Sequence, residues 1–349
     1  MVACARRKLW GRIRDRKAAF HCSNRCVRRA FLCGRDSVTG QDYSHRRDWI
    51  VLREEQLASQ FAIDIEFRSE MSNHLHVVLR PCPHMVRRLS SVEVVRRWLT
   101  ITKLAKCLSD AMPEPDEQRI QEMAKDKRWV RKLRKRLCSI SWFMGILQEN
   151  IARRANMEDG CRGRFWETRF RVRECTDPSS LLLCGIYVDL NPIKAGEADS
   201  PETATYTSAC QRIQAQGQRP GARDRADGWM AELTLQPENM ATHELAYTSR
   251  TGRRASDMGI LPMSVDSYVR LLNWTARMLR SGERKTIPKD LAPILDRLDI
   301  EHEAWLDTVD QYDALFCHAV GPCSSLGKVA KRMEASRLKG TAASRRVFK

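Results

Sequence analysis

Long apolar runs are missing from this chain. None approaches the ~18 consecutive residues that cross a bilayer, which excludes a helical membrane-spanning protein and predicts no membrane partner. The opening residues Met1 to Trp10 are basic and lack the apolar core of a secretory signal, so the expected location is the cytoplasm. Thirteen cysteines are present, yet no CxxC pair recurs. Cys22-x3-Cys26 with Cys33, and Cys82-Pro83-His84, lack a matching second half, so neither is a strong zinc signal. In a reducing compartment the cysteines read as free thiols packed as small apolar residues. No repeat at a fixed period is visible. Acidic residues are in short supply: 43 Asp and Glu face 61 Lys and Arg, for a formal charge of +18 and a pI near 9.6. That excess points to a polyanion, most simply nucleic acid.

Against these absences stand 349 residues, 42% of them hydrophobic, with nine Trp. This is enough for a packed core and for two domains. Residues 1–19 form a basic arm. Phe20 to Cys26 suggests a first strand, followed by the basic pair Arg28-Arg29. Helical spacing predicts a helix from about Tyr43 to Gln60, and Phe61 to Phe67 alternates as a half-buried strand. Val92 to Leu108 reads as a helix. A charged helical insertion occupies about 110–138, its basic side able to track a phosphate backbone. Ser139 could cap a helix from Trp142 to Asn156. Arg164 to Val172 is strand-like and interleaves Arg164, Arg169 and Arg171 with Phe165, Trp166 and Phe170, a pattern suited to a single-strand groove. Asp177-Pro178 starts a helix from Leu181 to Leu190 that Asn191-Pro192 ends. Residues 197–228 lose apolar periodicity, with 215–228 as a linker; 229–349 is mostly helical, with helices at 265–279, 288–298, 302–320 and 325–338.

The most informative stretch is Glu70 to Arg80. It carries His74-Leu75-His76 and then a β-branched run bounded by Pro81 and Pro83, and so reads as a strand. Alternation puts His74 and His76 on one face and Leu75, Val77 and Leu79 on the other. Two imidazoles side by side begin a metal site that needs a third ligand. Glu70 shares their face if the strand is unbroken, while Asn73 serves the local backbone.

Three segments together resemble the single-tyrosine HUH transposases, in particular the REP-associated tyrosine transposase branch of the transposase IS200-like family. They are Met71-Ser72-Asn73-His74-Leu75-His76, Gly163-Arg164-Phe165-Trp166-Glu167-Thr168-Arg169-Phe170, and Tyr187-Val188-Asp189-Leu190-Asn191-Pro192-Ile193-Lys194-Ala195-Gly196. The resemblance covers roughly 20–214. It implies an α+β catalytic domain with a ferredoxin-like antiparallel sheet and packed helices, followed by the helical C-terminal region. It further implies cutting of single-stranded or hairpin DNA by Tyr187, which forms a 5′-phosphotyrosine, and strand rejoining. His74, His76 and Asn191 would hold Mg²⁺ or Mn²⁺. A phenol with a pKa of ~10 is a weak nucleophile, so a Lewis acid on the phosphate has a purpose. Arg25, Arg28, Arg29, Arg164, Arg169, Arg171 and Lys194 are the candidate nucleic-acid contacts. The expected state is monomer or homodimer. The rivals are a catalytically silent or domesticated relative that only binds structured nucleic acid, and a metal-dependent nuclease using water.

Overall fold

The computed structural model describes residues 18–27, 32–36, 39–218, 225–235, 249, 251–283 and 286–349. The arm at 1–17, Arg28 and Arg29, and the linker stretch 219–224 lie outside these. A first strand β1 (Ala19–Arg25) leads to helix α1 (Arg46–Gln60) and a hairpin of β2 (Ile63–Glu70) and β3 (His74–Pro81). Helices α2 (Pro83–Arg88), α3 (Ser91–Leu104), α4 (Glu117–Ala124), α5 (Lys127–Leu137) and α6 (Ile140–Glu158) come next. Strand β4 (Arg171–Cys175) then feeds α7 (Pro178–Lys194) and α8 (Ser208–Gln216). The remainder holds α9 (Val265–Ser281), α10 (Ala292–Asp296), α11 (His302–Asp310), α12 (Tyr312–Leu315), β5 (Ala319–Val320), α13 (Cys323–Arg332) and α14 (Thr341–Val347). No helix among the described residues is long and apolar enough to cross a membrane.

The sheet order is β2-β3-β1-β4-β5. Its first four strands are antiparallel to their neighbours, which is the ferredoxin-like arrangement expected of this α+β chain. The fifth departs from the expectation: β5 pairs parallel with β4 and makes the sheet mixed. Both faces are covered. Leu75, Val77 and Leu79 pack into a core with Ile50, Leu99, Leu133 and Leu147, from α1, α3, α5 and α6. Val78 and Phe67 face a second core with α7 and the C-terminal helices, including Leu182, Leu272 and Trp305.

Three local readings need correction. Strand β2 is buried on both sides rather than half-buried, and a bulge between Ile65 and Phe67 turns those residues to opposite faces. The arginine-rich strand begins only at Arg171; Phe165 and Trp166 before it are buried, with the Trp166 indole donating to the Gln148 carbonyl at 2.9 Å. Those two rings fill the core, so they are not base-stacking surfaces. Helix α7 also runs through Asn191-Pro192. Pro192 cannot donate to Val188, but Asn191 Nδ2 donates to the carbonyls of Tyr187 at 2.9 Å and Val188 at 3.5 Å. The side chain substitutes for the lost backbone donor.

The entry to α7 follows the sequence signal. Asp177 and Ser180 form a reciprocal capping box around Pro178. At Gly185 the helix lies so close to the sheet that an added Cβ would meet the Phe67 ring at 2.5 Å. That close approach brings Tyr187, two residues on, down to the edge of the histidine strand. The single helix expected over 302–320 is instead α11, α12 and β5, because Phe316 ends α12 in extended backbone and the chain joins the sheet.

Candidate functional site

Strand pairing assembles the site. Residue Ser23 of β1 lies opposite His76, and Arg25 opposite His74. Across β1's other edge, His21 is opposite Arg173 of β4. The rings of His74 and His76 sit edge to face at 4.9 Å. His21 stacks on His76 at 5.0 Å, with His21 Nε2 2.8 Å from His76 Nδ1. Tyr187 meets His76 edge-on at 5.7 Å and His21 at 6.0 Å. Tyr187 thus packs against His76 of the histidine pair. His21 is an addition that the sequence did not mark.

A cleft of about 240 Å³ opens beside this cluster, lined by Arg25, His74, His76, Glu167, Arg171 and Asp313, among others. Arg25 and Arg171 are exposed and have no carboxylate partner among the described residues. They can receive an anion. Both imidazoles are neutral near pH 7. Burial, then the Arg25 guanidinium, pushes His74 down to about 4. Burial first, then His74, His21, Arg173 and Arg25, holds His76 well below the usual imidazole range.

Several donors bear on a cation. His74 Nδ1 is tied to Asn73 Oδ1 at 2.5 Å, which leaves Nε2 for a ligand. His76 Nε2 is buried and has no hydrogen-bond partner. These two nitrogens fit a metal, each imidazole being steadied through its other nitrogen. Arg173 pulls against that arrangement. Its Nη1 can only donate, and it faces His21 Nδ1 at 3.5 Å, favouring the tautomer in which His21 Nε2–H donates to His76 and leaves the His76 proton on Nε2. Loading a cation therefore requires that proton to leave. Asn191 turns its amide nitrogen to its own helix, which leaves the amide oxygen as the atom that could meet a cation. Glu70 does not share the histidine face. The chain turns at Met71–Asn73, and the Glu70 carboxylate pairs with Arg68 inside the protein beside Glu54. Among the described residues no three His, Cys, Asp or Glu side chains are grouped to hold a metal.

Tyr187 itself is only 6% exposed. Tyr312 stacks on its ring at 4.3 Å, and the neighbouring Asp313 carboxylate acts on its hydroxyl electrostatically. Burial and that carboxylate raise the phenol well above its ordinary range, with Arg173 and Asn191 pulling the other way. Burial alone would raise Asp313, but Arg173, at 2.6 Å, outweighs it and leaves the carboxylate below its usual range. Arg173, two residues beyond Arg171 on β4, is buried and also donates to the Phe316 carbonyl at 3.0 Å. Tyr312 and Asp313 come from the C-terminal region, where no local motif flags them.

The remaining candidates divide. Arg164 and Arg169 are exposed, with Arg164 Nη1 donating to the Glu167 carbonyl. Lys194 is paired with Asp310 at 2.9 Å, which leaves it less able to serve a phosphate. The twelve cysteines among the described residues are free thiols. Compared with known proteins, the chain matches no family model, no curated protein and no solved structure.

Proposed function

We propose that this protein is a transposase-like strand transferase that cuts single-stranded, hairpin-bearing DNA with Tyr187 as nucleophile. The observation that carries the reading is the edge-on packing of Tyr187 against His76, 5.7 Å between ring centres, beside a cleft carrying two unpaired arginines. In the cutting step Tyr187 Oη forms a bond to phosphorus, the bond to the 3′ oxygen breaks, and that oxygen leaves as a 3′-OH after taking a proton. As the oxygen–phosphorus bond forms, the phenol proton passes to Asp313, the carboxylate that acts on its hydroxyl. Arg25 and Arg171 hold the scissile phosphate by charge-assisted hydrogen bonds. Mg²⁺ or Mn²⁺, held by His74 and His76 with Asn191 as a further oxygen donor, would supply Lewis-acid polarisation of the phosphate. Reversal of the same step on a new 3′-OH rejoins strands.

The test is a labelled hairpin oligonucleotide with a single-stranded flank, incubated with Mn²⁺ and resolved under denaturing conditions. The wild type should give a protein–DNA adduct, and Tyr187→Phe should give none. Equal adduct from both would remove Tyr187 as nucleophile. Cut DNA without adduct would point to a water-using nuclease. The near-complete burial of Tyr187 beneath Tyr312 favours a second reading, a silent relative that binds structured DNA through the same cleft. It predicts binding with no cutting.

A further inference from the structure

Helix α5 carries seven Lys and Arg in eleven residues, KRWVRKLRKRL, and no carboxylate. Its apolar residues Val130, Leu133 and Leu137 are buried against the helices behind it. Two of the seven cations have structural work. Arg134 donates to the carbonyls of Val86 and Leu89. The Arg136 guanidinium lies 5.0 Å from the Trp98 ring, 5.0 Å from Trp129 and 4.7 Å from Trp142. The other five, Lys127, Arg128, Arg131, Lys132 and Lys135, are exposed and without a carboxylate partner among the described residues. At 100° per residue they span an arc of about 140° centred opposite the buried stripe. Lys127, Arg131 and Lys135 make a row at i, i+4 spacing, about 5–6 Å apart.

Trp142, at the start of α6, lies beside the Arg136 guanidinium, which follows Lys135, the last residue of this row. It is 41% exposed, and it is the only exposed Phe, Tyr or Trp among the described residues. The ring is not floppy: it meets Trp98 at 5.1 Å and 86°, and Arg136 lies over it. The result is a fixed indole with open surface at the end of a row of unneutralised cations. A solvated helix face accounts for the charges but not for the indole. An acidic protein would use the charges and leave the ring without a purpose. A single-stranded nucleic acid uses both, phosphates on the cations and a base on the ring.

We propose that α5 and Trp142 form a second, accessory site for single-stranded nucleic acid, separate from the histidine cleft. The separation follows from the fold. The α5 side chains pack on the face of β3 carrying Leu75, Val77 and Leu79, whereas His76 points to the other face, with Val78. The C-terminal end of α5 meets the start of β2, where Ala62 N–H donates to the Leu137 carbonyl; β2 begins opposite Pro81, and His74 lies at the far end of β3. Eight residues of strand separate the two ends, about 25 Å. A strand bound at the platform would raise the local concentration of its continuation at the cleft. The inference rests on the single-strand part of the proposed function and not on the cutting chemistry.

The experiment is fluorescence anisotropy of the full chain with a fluorescein-labelled oligothymidylate of about fifteen nucleotides, titrated at several salt concentrations. Trp142→Ala should weaken binding about tenfold at unchanged salt slope. Arg131→Glu/Lys135→Glu should weaken it more and flatten the slope of log K against log salt by about 1.4, two phosphate contacts at ~0.7 each. A blunt duplex of the same length offers no free base face, so Trp142→Ala should leave its affinity unchanged. Both sites are exposed, and unchanged circular dichroism would confirm that the variants fold. Wild-type affinity in both variants would overturn the platform while leaving the cleft intact. Failure of the wild type to bind the oligonucleotide at low salt would overturn both the platform and the single-strand reading.

Discussion

The imidazole of His76 has one free nitrogen, and everything else around it decides whether that nitrogen can take a cation. Its other nitrogen is 2.8 Å from His21, whose own far nitrogen faces Arg173. With a cation on Nε2 the His76 proton sits on Nδ1 and would donate to His21 Nε2, and removing an orienting partner of this kind typically costs ~10–100-fold in metal affinity. His21→Ala should therefore weaken Mn²⁺ binding by at least about tenfold, measured by calorimetry without any DNA present. Unchanged affinity would detach His21 from the site. At this scale the sequence was legible where a short period sufficed. Alternation alone paired His74 with His76, and the i, i+4 spacing set Asn191 one turn beyond Tyr187. It was illegible where the site depends on strand register. Nothing in Phe20 to Cys26 says that His21 will face Arg173, because that follows from pairing β1 with β4 across 150 residues of chain.

Among the elements, β2 is the least typical. Both its faces are covered, yet Asp64, Glu66, Arg68 and Glu70 are all buried within it. Arg80 bridges Asp64 at 3.3 Å and Glu66 at 3.1 Å, while Arg68 joins Glu54 at 2.9 Å. Burial lifts the Glu66 carboxyl to about 7 in spite of Arg80. Its unfolded value lies near 4.5, so the folded state holds this proton more tightly. The associated stability is present below pH 4.5 and is lost as pH rises to about 7. Glu66→Gln should remove that slope and raise the melting temperature at pH 8, with little change at pH 5. Thermal melts across the range read it directly, and an identical slope in the variant would assign the pH dependence to another group. The Phe61 to Phe67 alternation could not reveal this burial. It reports which residues are apolar, whereas the bulge at Ile65–Phe67 and the arginine partners come from tertiary packing.

At the scale of the molecule, the C-terminal region closes over the candidate nucleophile. Tyr312 covers the Tyr187 ring, Asp313 beside it pairs with Arg173, and Lys194 ties α7 to Asp310. Tyr187 should resist nitration by tetranitromethane in the native protein. Tyr312→Ala should open it, with modification located by peptide mass spectrometry. Nitration of Tyr187 in the wild type at the rate of an exposed tyrosine would show that the cover does not shield it. The helical character of the last third was legible from apolar spacing. Its role was not, since a continuous helix over 302–320 conceals the break at Gln311, the short turn bearing Tyr312 and Asp313, and the final strand.

That final strand has a consequence for biosynthesis. Because β5 joins the sheet beside β4 in parallel, the order in which the ribosome releases segments matters. Until residues near 320 emerge, β4 presents an unpaired edge and the Tyr187 ring lacks its cover. Pairing across nearly 150 residues is slow to close. A nascent chain would thus pass through a stage with the histidine strand formed and the tyrosine open. Any activity at that stage would precede completion of the fold.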